Sequence, residues 1–249
     1  MKLFDAHLHI IDARFPLVAN QGYLPPVFGC DDYLERMSTH ELIGGAVVSA
    51  SFQGFDQDYL RDALARLGPS FVGVTQLPAG VSDAELIALD RAGVRALRFN
   101  LKRGDAITPS DLDRLARRVD EVVGWPVELY IDAAGLEEYR VTLLALPAVS
   151  IDHLGLSETG LDTLVRLAGE GIRVKASGFG RVDFDVSDAL RALHAANPDA
   201  LMFGSDLPST RAPRAYRDDD IALIEEALGE QAASRVLFRN ALAFYRAAG

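Results

Sequence analysis

Residues 3–10 read Leu-Phe-Asp-Ala-His-Leu-His-Ile, and this alternation of apolar and polar residues predicts a β-strand at the start of the chain. A period of two places Asp5, His7 and His9 on one face of that strand. Two imidazoles that point the same way are costly to bury without polar partners. They are either a pair of satisfied core histidines or part of a functional site whose other members lie elsewhere in the sequence.

The composition favours one large α/β domain over residues 1–249 and argues against two classes of partner. The chain has 249 residues, of which 49% are hydrophobic, which is enough for a sizeable core. Its 25 basic and 36 acidic residues give a net charge of −11, which disfavours nucleic acid and anionic membrane surfaces. A homo-oligomer is left open. We expect a cytoplasmic location, because Cys30 is the single cysteine and neither a signal peptide nor a membrane-spanning run is evident.

Short strand patterns alternate with amphipathic helical patterns along the whole chain. After the first strand, seven more are expected at 46–50, 71–77, 94–100, 127–132, 149–154, 172–177 and 201–206. Helices are expected at 31–40, 58–67, 83–92, 110–123, 136–146, 161–169, 187–196, 219–228 and 230–247. Eight strand–helix units in a chain of this length match a single (β/α)8 TIM barrel. A doubly wound open sheet is the competing layout, but no G-x-G-x-x-G or P-loop motif follows any of these strands.

Four titratable residues stand at the ends of expected strands. His7 and His9 end the first strand, His153 ends the sixth and Asp206 ends the eighth. The active site of a TIM barrel lies at the C-terminal ends of its strands, so these side chains are expected to converge. Their types are those used for water activation, and we interpret them as catalytic residues.

Three motifs resemble the amidohydrolase superfamily, of the amidohydrolase-2 type. They read Asp-Ala-His-Leu-His at 5–9, Ile-Asp-His-Leu-Gly at 151–155 and Gly-Ser-Asp-Leu-Pro at 204–208. More narrowly, the chain resembles the branch of 2-pyrone-4,6-dicarboxylate lactonase and related lactonases, and further likenesses occur at 22–25, 32–34, 98–100, 174–178 and 239–245. The resemblance implies a TIM barrel and a lactonase active in aromatic degradation. The motifs do not fix the substrate.

The metal content of the site is an open question in the sequence. Metal-using members of the superfamily generally add a strand-5 histidine, a strand-8 aspartate and, in binuclear forms, a strand-4 carboxylated lysine or acid. Here strand 5 offers Tyr130 where that histidine would be expected, and strand 4 presents Arg98 and Asn100. A guanidinium would repel a divalent cation, so we expect no metal, as the lactonase resemblance also implies. By ligand count, zinc or manganese could still be held by His7, His9, His153 and Asp206.

Several polar residues are candidates for binding an anionic substrate. Arg98 could clamp a carboxylate with its planar guanidinium, or form a salt bridge to a neighbour such as Asp5 or Glu128. Tyr130 could donate its hydroxyl to the same anion or bond a neighbouring side chain. In the resembled lactonase, arginines and tyrosines hold the substrate's carboxylates, and Arg98 and Tyr130 fall at matching positions. The further candidates are Arg181, Asn100 and Tyr23, with Arg211 and Arg214 weaker.

The sequence leads to the hypothesis of a hydrolase for a small anionic lactone, such as a pyrone dicarboxylate or a muconolactone-type ring. Asp206 would take a proton from water and return it to the leaving ring oxygen, while the three histidines polarise the ring carbonyl. Two alternatives are open. One is a zinc- or manganese-dependent hydrolase or decarboxylase of the same superfamily, and the other is a barrel that binds an organic acid without catalysis. Lys175 and Ser177 share a strand face but receive no role.

Overall fold

The computed structural model describes residues 1–104 and 107–246, and its centre is one eight-stranded sheet. The strands are β1 (Lys2–Leu8), β2 (Glu41–Val48), β3 (Phe71–Thr75), β4 (Val94–Asn100), β5 (Val127–Tyr130), β6 (Val149–Ile151), β7 (Arg173–Ala176) and β8 (Leu201–Phe203). Each strand pairs in parallel with the next in sequence order. The expected TIM barrel is confirmed.

Helices cover the outside of the barrel between the strands. They are α1 (Cys30–Arg36), α2 (Asp58–Leu67), α3 (Asp83–Arg91), α4 (Pro109–Val123), α5 (Leu136–Ala145), α6 (Leu161–Gly169), α7 (Val186–Ala196), α8 (Asp219–Leu228), α9 (Glu230–Ser234) and α10 (Asn240–Tyr245). Single 3₁₀ turns occupy Ser51–Gln53, Ala133–Gly135 and His153–Gly155. Across 1–104 and 107–246, no helix has both the length and the apolar character needed to cross a bilayer.

The barrel closes between the ends of β1 and β8 without a regular ladder of hydrogen bonds. The backbone N–H of Asp206 donates to the carbonyl of His7 at 2.7 Å, and the N–H of His9 donates to the carbonyl of Leu207 at 2.8 Å. These two bonds join the C-terminal end of β1, and the residue that follows it, to the loop after β8. They therefore bring the first and the last of the sequence motifs together at one rim of the barrel.

Strand side chains alternate between the barrel interior and the helix layer. The lower interior is apolar, and α10 closes it from below with Phe244 and Tyr245. Its strand residues are Phe4, Ala6, Ala46, Val48, Val72, Val74, Ala96 and Met202. The intervening strand residues pack outward against the helices in the main hydrophobic core. The interior above this apolar layer is polar and carries the site.

The expectation that Asp5 shares a face with the two histidines of β1 is wrong. The pairing of β1 with β2 shifts register between Asp5 and Leu8, and such a bulge changes which side of the sheet the following residues face. Asp5 accepts hydrogen bonds from the Tyr33 hydroxyl of α1 at 3.1 Å and from the Ser205 hydroxyl at 2.6 Å. Burial raises the pKa of Asp5 to about 6 even though these donors oppose the shift. Asp5 therefore ties β1 to α1 and to the loop after β8.

Several element boundaries differ from the expected ones, and the strands expected to end at 77, 132, 154, 177 and 206 end two or more residues earlier, except β7, which ends at Ala176. The strand expected at 46–50 begins at Glu41. Its first half was not predicted because Gly44 and Gly45 interrupt the apolar alternation of β2. A Cβ atom on Gly45 would lie 3.0 Å from the carbonyl oxygen of Asp5, so this glycine permits the close approach of β2 to β1. The helix expected at 31–40 ends at Arg36, and the helix expected at 230–247 is interrupted by a π-type turn over Arg235–Arg239. Residue 247 lies outside the described part of the chain.

Candidate active site

Three histidines surround one carboxylate oxygen at the rim where the barrel closes. The Oδ1 atom of Asp206 lies 3.5 Å from Nε2 of His9, 3.8 Å from Nε2 of His153 and 3.9 Å from Nε2 of His7. All four side chains are buried. Within the described residues, neither Nε2 of His7 nor Oδ1 of Asp206 has a hydrogen-bond partner. Buried polar atoms without partners that face one another mark a place for a water molecule, a substrate oxygen or an ion.

Loops beyond the strands, more than the strands themselves, place these side chains. β6 ends at Ile151 and β8 at Phe203, so His153 and Asp206 both follow strand ends. His153 has a φ of +52° and Asp206 a φ of +59°, which is unusual for residues other than glycine. Gly204 is required for close packing, since a Cβ atom there would lie 2.6 Å from Cβ of His7.

The hydrogen bonds of the imidazoles assign their protons. Nδ1 of His9 lies 2.7 Å from the Val48 carbonyl oxygen, which only accepts, so a neutral His9 carries its proton on Nδ1 and accepts at Nε2. Nδ1 of His153 lies 2.9 Å from the Ser177 hydroxyl, which can donate or accept. Burial lowers the pKa of His153 to about 4 and that of His7 well below its usual range, although neighbouring aspartates oppose both shifts. His7 and His153 are therefore neutral at pH 7.

An arginine keeps Asp206 ionised. Nε of Arg181 donates to Oδ2 of Asp206 at 2.7 Å, and its Nη2 donates to the carbonyl of Thr210 at 2.9 Å. Burial raises the pKa of Asp206, but the guanidinium of Arg181 and the imidazole of His153 together outweigh it and hold that pKa well below the usual range. Asp206 is thus a carboxylate over the whole working pH range and a weak base while the pair is intact.

Asp152 is a site residue that the sequence analysis missed. Nη2 of Arg98 donates to its Oδ2 at 2.8 Å, so the salt-bridge partner of Arg98 is Asp152 and neither Asp5 nor Glu128. Burial raises the pKa of Asp152, but His7 and Arg98 lower it by a larger amount, so the net shift is strongly downward. The sequence did contain a clue to this residue. Val149 and Ile151 of β6 pack outward, so the alternation places Ser150, and Asp152 just after the strand, toward the interior.

A second missed group lies below the histidines. Lys175 on β7 contacts Glu128 on β5, and Nζ of Lys175 also lies 3.3 Å from Nδ1 of His7. Lys175 and Glu128 are both fully buried. In the sequence, Lys175 was placed only on one strand face with Ser177. Its contacts could not be identified there, because they depend on which strands face one another across the barrel.

A cleft with an empty volume of ≈ 400 Å³ opens above the four catalytic candidates. It contains the predicted binding residues Tyr23, Arg98, Asn100, Tyr130, Arg181 and Arg211, together with His9, His153 and Asp206. Arg103 also lines the cleft and was not predicted, because it is a loop residue that no periodic pattern could have assigned there. Arg214 does not line the cleft, because it is paired with Asp220 at 2.8 Å beside a separate cavity.

The amidohydrolase family model matches residues 4–247. The chain belongs to the amidohydrolase family. The resemblance found in the motifs is confirmed by this match and by a curated relative, the 2-pyrone-4,6-dicarboxylate hydrolase of Comamonas testosteroni. That protein is 36% identical over 160 residues, which cover 61% of this chain and 51% of the relative. The amidohydrolase chain thus spans about half the length of the curated relative it matches.

Solved structures share the same fold over almost the whole chain. A Pseudomonas putida protein, provisionally named a 2-pyrone-4,6-dicarboxylic acid hydrolase, is 27% identical with a TM-score of 0.81, over 98% of this chain and 97% of that one. A protein from Agrobacterium tumefaciens is 22% identical with a TM-score of 0.84, over 99% of this chain and 96% of that one. The second likeness concerns the fold alone.

The donor atoms of this amidohydrolase fit one divalent ion by type and spacing. One candidate ligand group is His7, His9 and Asp206, and a second is His7, Asp152 and His153; in each, the donor atoms lie within 4.8 Å of one another. The neighbouring charges oppose an ion. Asp206 is already paired with Arg181, and the Lys175 ammonium lies against His7. An added dication would therefore be repelled by two nearby cations and gain little from a carboxylate that is already neutralised.

The close packing of Gly204 generates a prediction. In Gly204→Ala the new methyl group must displace His7, and we expect a loss of about 1–3 kcal/mol in the free energy of unfolding, as for other overpacked sites. Urea unfolding of the two chains measures this difference in free energy. Gly80→Ala is the matched control, because a Cβ there meets nothing within 4 Å. Equal stability of the two variants would contradict the assigned packing.

Proposed function

We propose that this amidohydrolase opens a small lactone that carries carboxylate groups, with Asp206 as the base that activates water. The observation that carries the proposal is the convergence of three histidine Nε2 atoms on one oxygen of Asp206, at 3.5 to 3.9 Å, below an arginine-lined cleft. The names of the Comamonas testosteroni and Pseudomonas putida relatives, both 2-pyrone dicarboxylate hydrolases, support the same reaction class.

The charge of the cleft indicates an anionic substrate. Four arginines line it: Arg98, Arg103, Arg181 and Arg211. Among its described lining residues, Asp206 alone carries a carboxylate. This local excess of positive charge contrasts with the net charge of −11 for the whole chain. Guanidinium groups bind carboxylates in a planar, bidentate fashion, which favours a small ring that carries carboxylates, such as a pyrone dicarboxylate or a muconolactone-type lactone.

The reaction needs one proton to be moved twice. Asp206 takes a proton from water, and the resulting hydroxide attacks the ring carbonyl carbon. The Nε2–H group of His7 stabilises the negative charge that forms on the carbonyl oxygen, as does that of His153 when its Nδ1 accepts from the Ser177 hydroxyl, each contributing about 3 kcal/mol when well aimed. The ring C–O bond then breaks, and the proton returns from Asp206 to the leaving oxygen. The product carries one carboxylate more than the substrate.

His9 has a different part in this proposal from the one expected from the sequence. Its Nδ1 donates to the carbonyl of Val48, so neutral His9 can only accept a proton at Nε2. A water molecule between His9 and Asp206 can donate one hydrogen to each. We therefore assign His9 to the orientation of the attacking water, and not to the polarisation of the carbonyl.

The Arg181–Asp206 pair connects substrate binding to base strength. Arg181 lines the cleft and also holds Asp206 at 2.7 Å, which makes Asp206 a poor base before substrate binds. A substrate carboxylate that bonds Arg181 competes for the same guanidinium and weakens the pair. Binding of the correct anion thereby strengthens the base, which favours anionic lactones over neutral ones.

We expect Asp206→Asn to lose about 10²–10⁴-fold in kcat, the usual contribution of a general base. Hydrolysis of dicarboxylate, muconate-derived and sugar-acid lactones, followed by absorbance, measures the loss, and circular dichroism checks folding. Asp162→Asn, at the exposed start of α6, is the control and should retain full activity. Near-normal turnover in Asp206→Asn would refute the base assignment. Binding without turnover of any lactone by the parent chain would support an organic-acid-binding barrel instead.

Protonation of His153 should set the acid side of the pH dependence of the reaction. Asp206 stays ionised, and His153, with its pKa lowered to about 4 by burial, stays neutral above that value. Activity should therefore be lost as the pH falls through about 4, when His153 gains a proton beside Arg181 and Arg98. A profile of kcat/KM between pH 4 and 8 tests this. A kcat/KM that does not fall between pH 6 and pH 4 would contradict it.

A metal-dependent hydrolase or decarboxylase is the second candidate, and the spacing of His7, His9 and Asp206 favours it. A divalent ion at these residues would supply Lewis-acid activation of water, whose pKa falls to about 7 on zinc. The chain's own contribution would be to hold the ion and to bind the substrate through the arginines.

Metal analysis separates the two candidates. We expect the purified chain to contain far less than one equivalent of zinc or manganese and to keep its activity after dialysis against a chelator, because the cations beside the site oppose a dication. Elemental analysis and the hydrolysis assay measure both quantities. One equivalent of metal whose removal abolishes activity, and whose return restores it, would establish the second candidate.

Three further expectations stay predictions: one domain over residues 1–249, a cytoplasmic location, and a small anionic molecule, in place of nucleic acid or membrane, as the partner.

A further inference from the structure

We infer that Lys175 is a positioning residue that fixes the proton of His7 on Nε2, the nitrogen that faces Asp206. The inference deepens the proposed function and depends on it for its catalytic meaning. Both side chains are fully buried, and Nζ of Lys175 lies within hydrogen-bond distance of Nδ1 of His7, at 3.3 Å.

An ammonium group determines the direction of this hydrogen bond. It has three hydrogens and no lone pair, so it can only donate. Lys175 contacts three groups: the Glu128 carboxylate, Nδ1 of His7 and, at 3.6 Å, Oδ1 of Asp152. Glu128 is itself fixed by the hydroxyl of Tyr245 at 2.5 Å. Nδ1 of neutral His7 must therefore accept, which leaves the ring proton on Nε2.

Asp152 is the competing partner for the same nitrogen. Its Oδ1 lies 3.4 Å from Nδ1 of His7, and a proton on Nδ1 would be donated there. In the described part of the chain, however, Oδ1 of Asp152 has no hydrogen-bond partner, whereas Nζ of Lys175 and Nδ1 of His7 form a hydrogen bond. Oδ2 of the same carboxylate is held by Arg98. The geometry thus selects Lys175 over Asp152 as the partner of Nδ1.

The choice between these partners decides what His7 can do. A histidine that donates Nδ1–H to a carboxylate presents a lone pair at Nε2, which is the usual arrangement of a metal ligand. A histidine whose Nδ1 accepts from a lysine presents Nε2–H, which can donate to a developing oxyanion but has no lone pair for a metal. Lys175 therefore adapts His7 to a reaction without metal, while His9, just after the end of β1, carries the opposite tautomer.

Nitrogen-15 NMR of the intact chain, labelled at histidine, tests the assignment without any substrate. Long-range proton–nitrogen spectra distinguish protonated from unprotonated ring nitrogens. At pH 7 we expect His7 to be protonated at Nε2 and His9 at Nδ1, with His7→Asn used to assign the signals. Protonation of His7 at Nδ1 would overturn the inference.

Removal of the lysine should move the proton. Lys175→Met alone leaves Glu128 buried without its cation and is liable to unfold, so Lys175→Met/Glu128→Gln is the working variant. In this double variant we expect the His7 proton on Nδ1. We expect kcat to drop about 10- to 100-fold with KM little changed. Calorimetry with zinc chloride should show tighter Zn²⁺ binding. Lys2→Met, at the exposed start of β1, is the control and should change none of these.

The readouts separate failure of this inference from failure of the proposed function. Nε2 protonation of His7 in a chain that hydrolyses no lactone would preserve the assignment and refute the reaction. An unchanged tautomer and unchanged zinc affinity in the double variant would refute the role of Lys175, even if the parent chain is an active lactonase.

Discussion

The closure of the barrel between β1 and β8 is the constraint on which the rest of the structure depends. Two backbone hydrogen bonds, from Asp206 to His7 and from His9 to Leu207, replace a regular ladder at this seam. They place the residues of the first and last motifs side by side, although some 200 positions separate Asp5 from Ser205. The bare Cα of Gly204 permits the contact, because any side chain there would collide with His7.

Compensated charge is the second feature of the site. Each buried carboxylate of the polar interior has its own cation, and the pairs are Asp206–Arg181, Asp152–Arg98 and Glu128–Lys175. Buried ion pairs contribute little net stability, since desolvation offsets their attraction. Their value here is in fixing protonation states and directions. Asp206 stays charged, His7 and His153 stay neutral, and the arginines of two pairs also line the cleft, where they can bind a substrate anion.

The histidines consequently divide their roles although they look equivalent in the sequence. His9 donates to a carbonyl and can only accept at the cleft, whereas the partner of His7 is a lysine that can only donate. One motif, His-x-His, thus places a donor and an acceptor beside the same carboxylate oxygen, and the acceptor, Nε2 of His9, can reach that oxygen only through a water molecule. In the proposed reaction, this division lets one histidine polarise the carbonyl while the other orients the water.

The sequence by itself determined the barrel and the four converging groups. Strand alternation, helix periodicity and the three motifs are local properties, so they can be recognised in the sequence without knowledge of the fold. The tertiary structure alone decided that Asp5 faces α1, that His153 enters the site through a left-handed turn, and that Arg98 pairs with Asp152. It also decided the contact of Lys175 with His7. The physical reason is that register shifts, turns and ion pairs depend on hydrogen bonds between residues far apart in the chain, which no local pattern records.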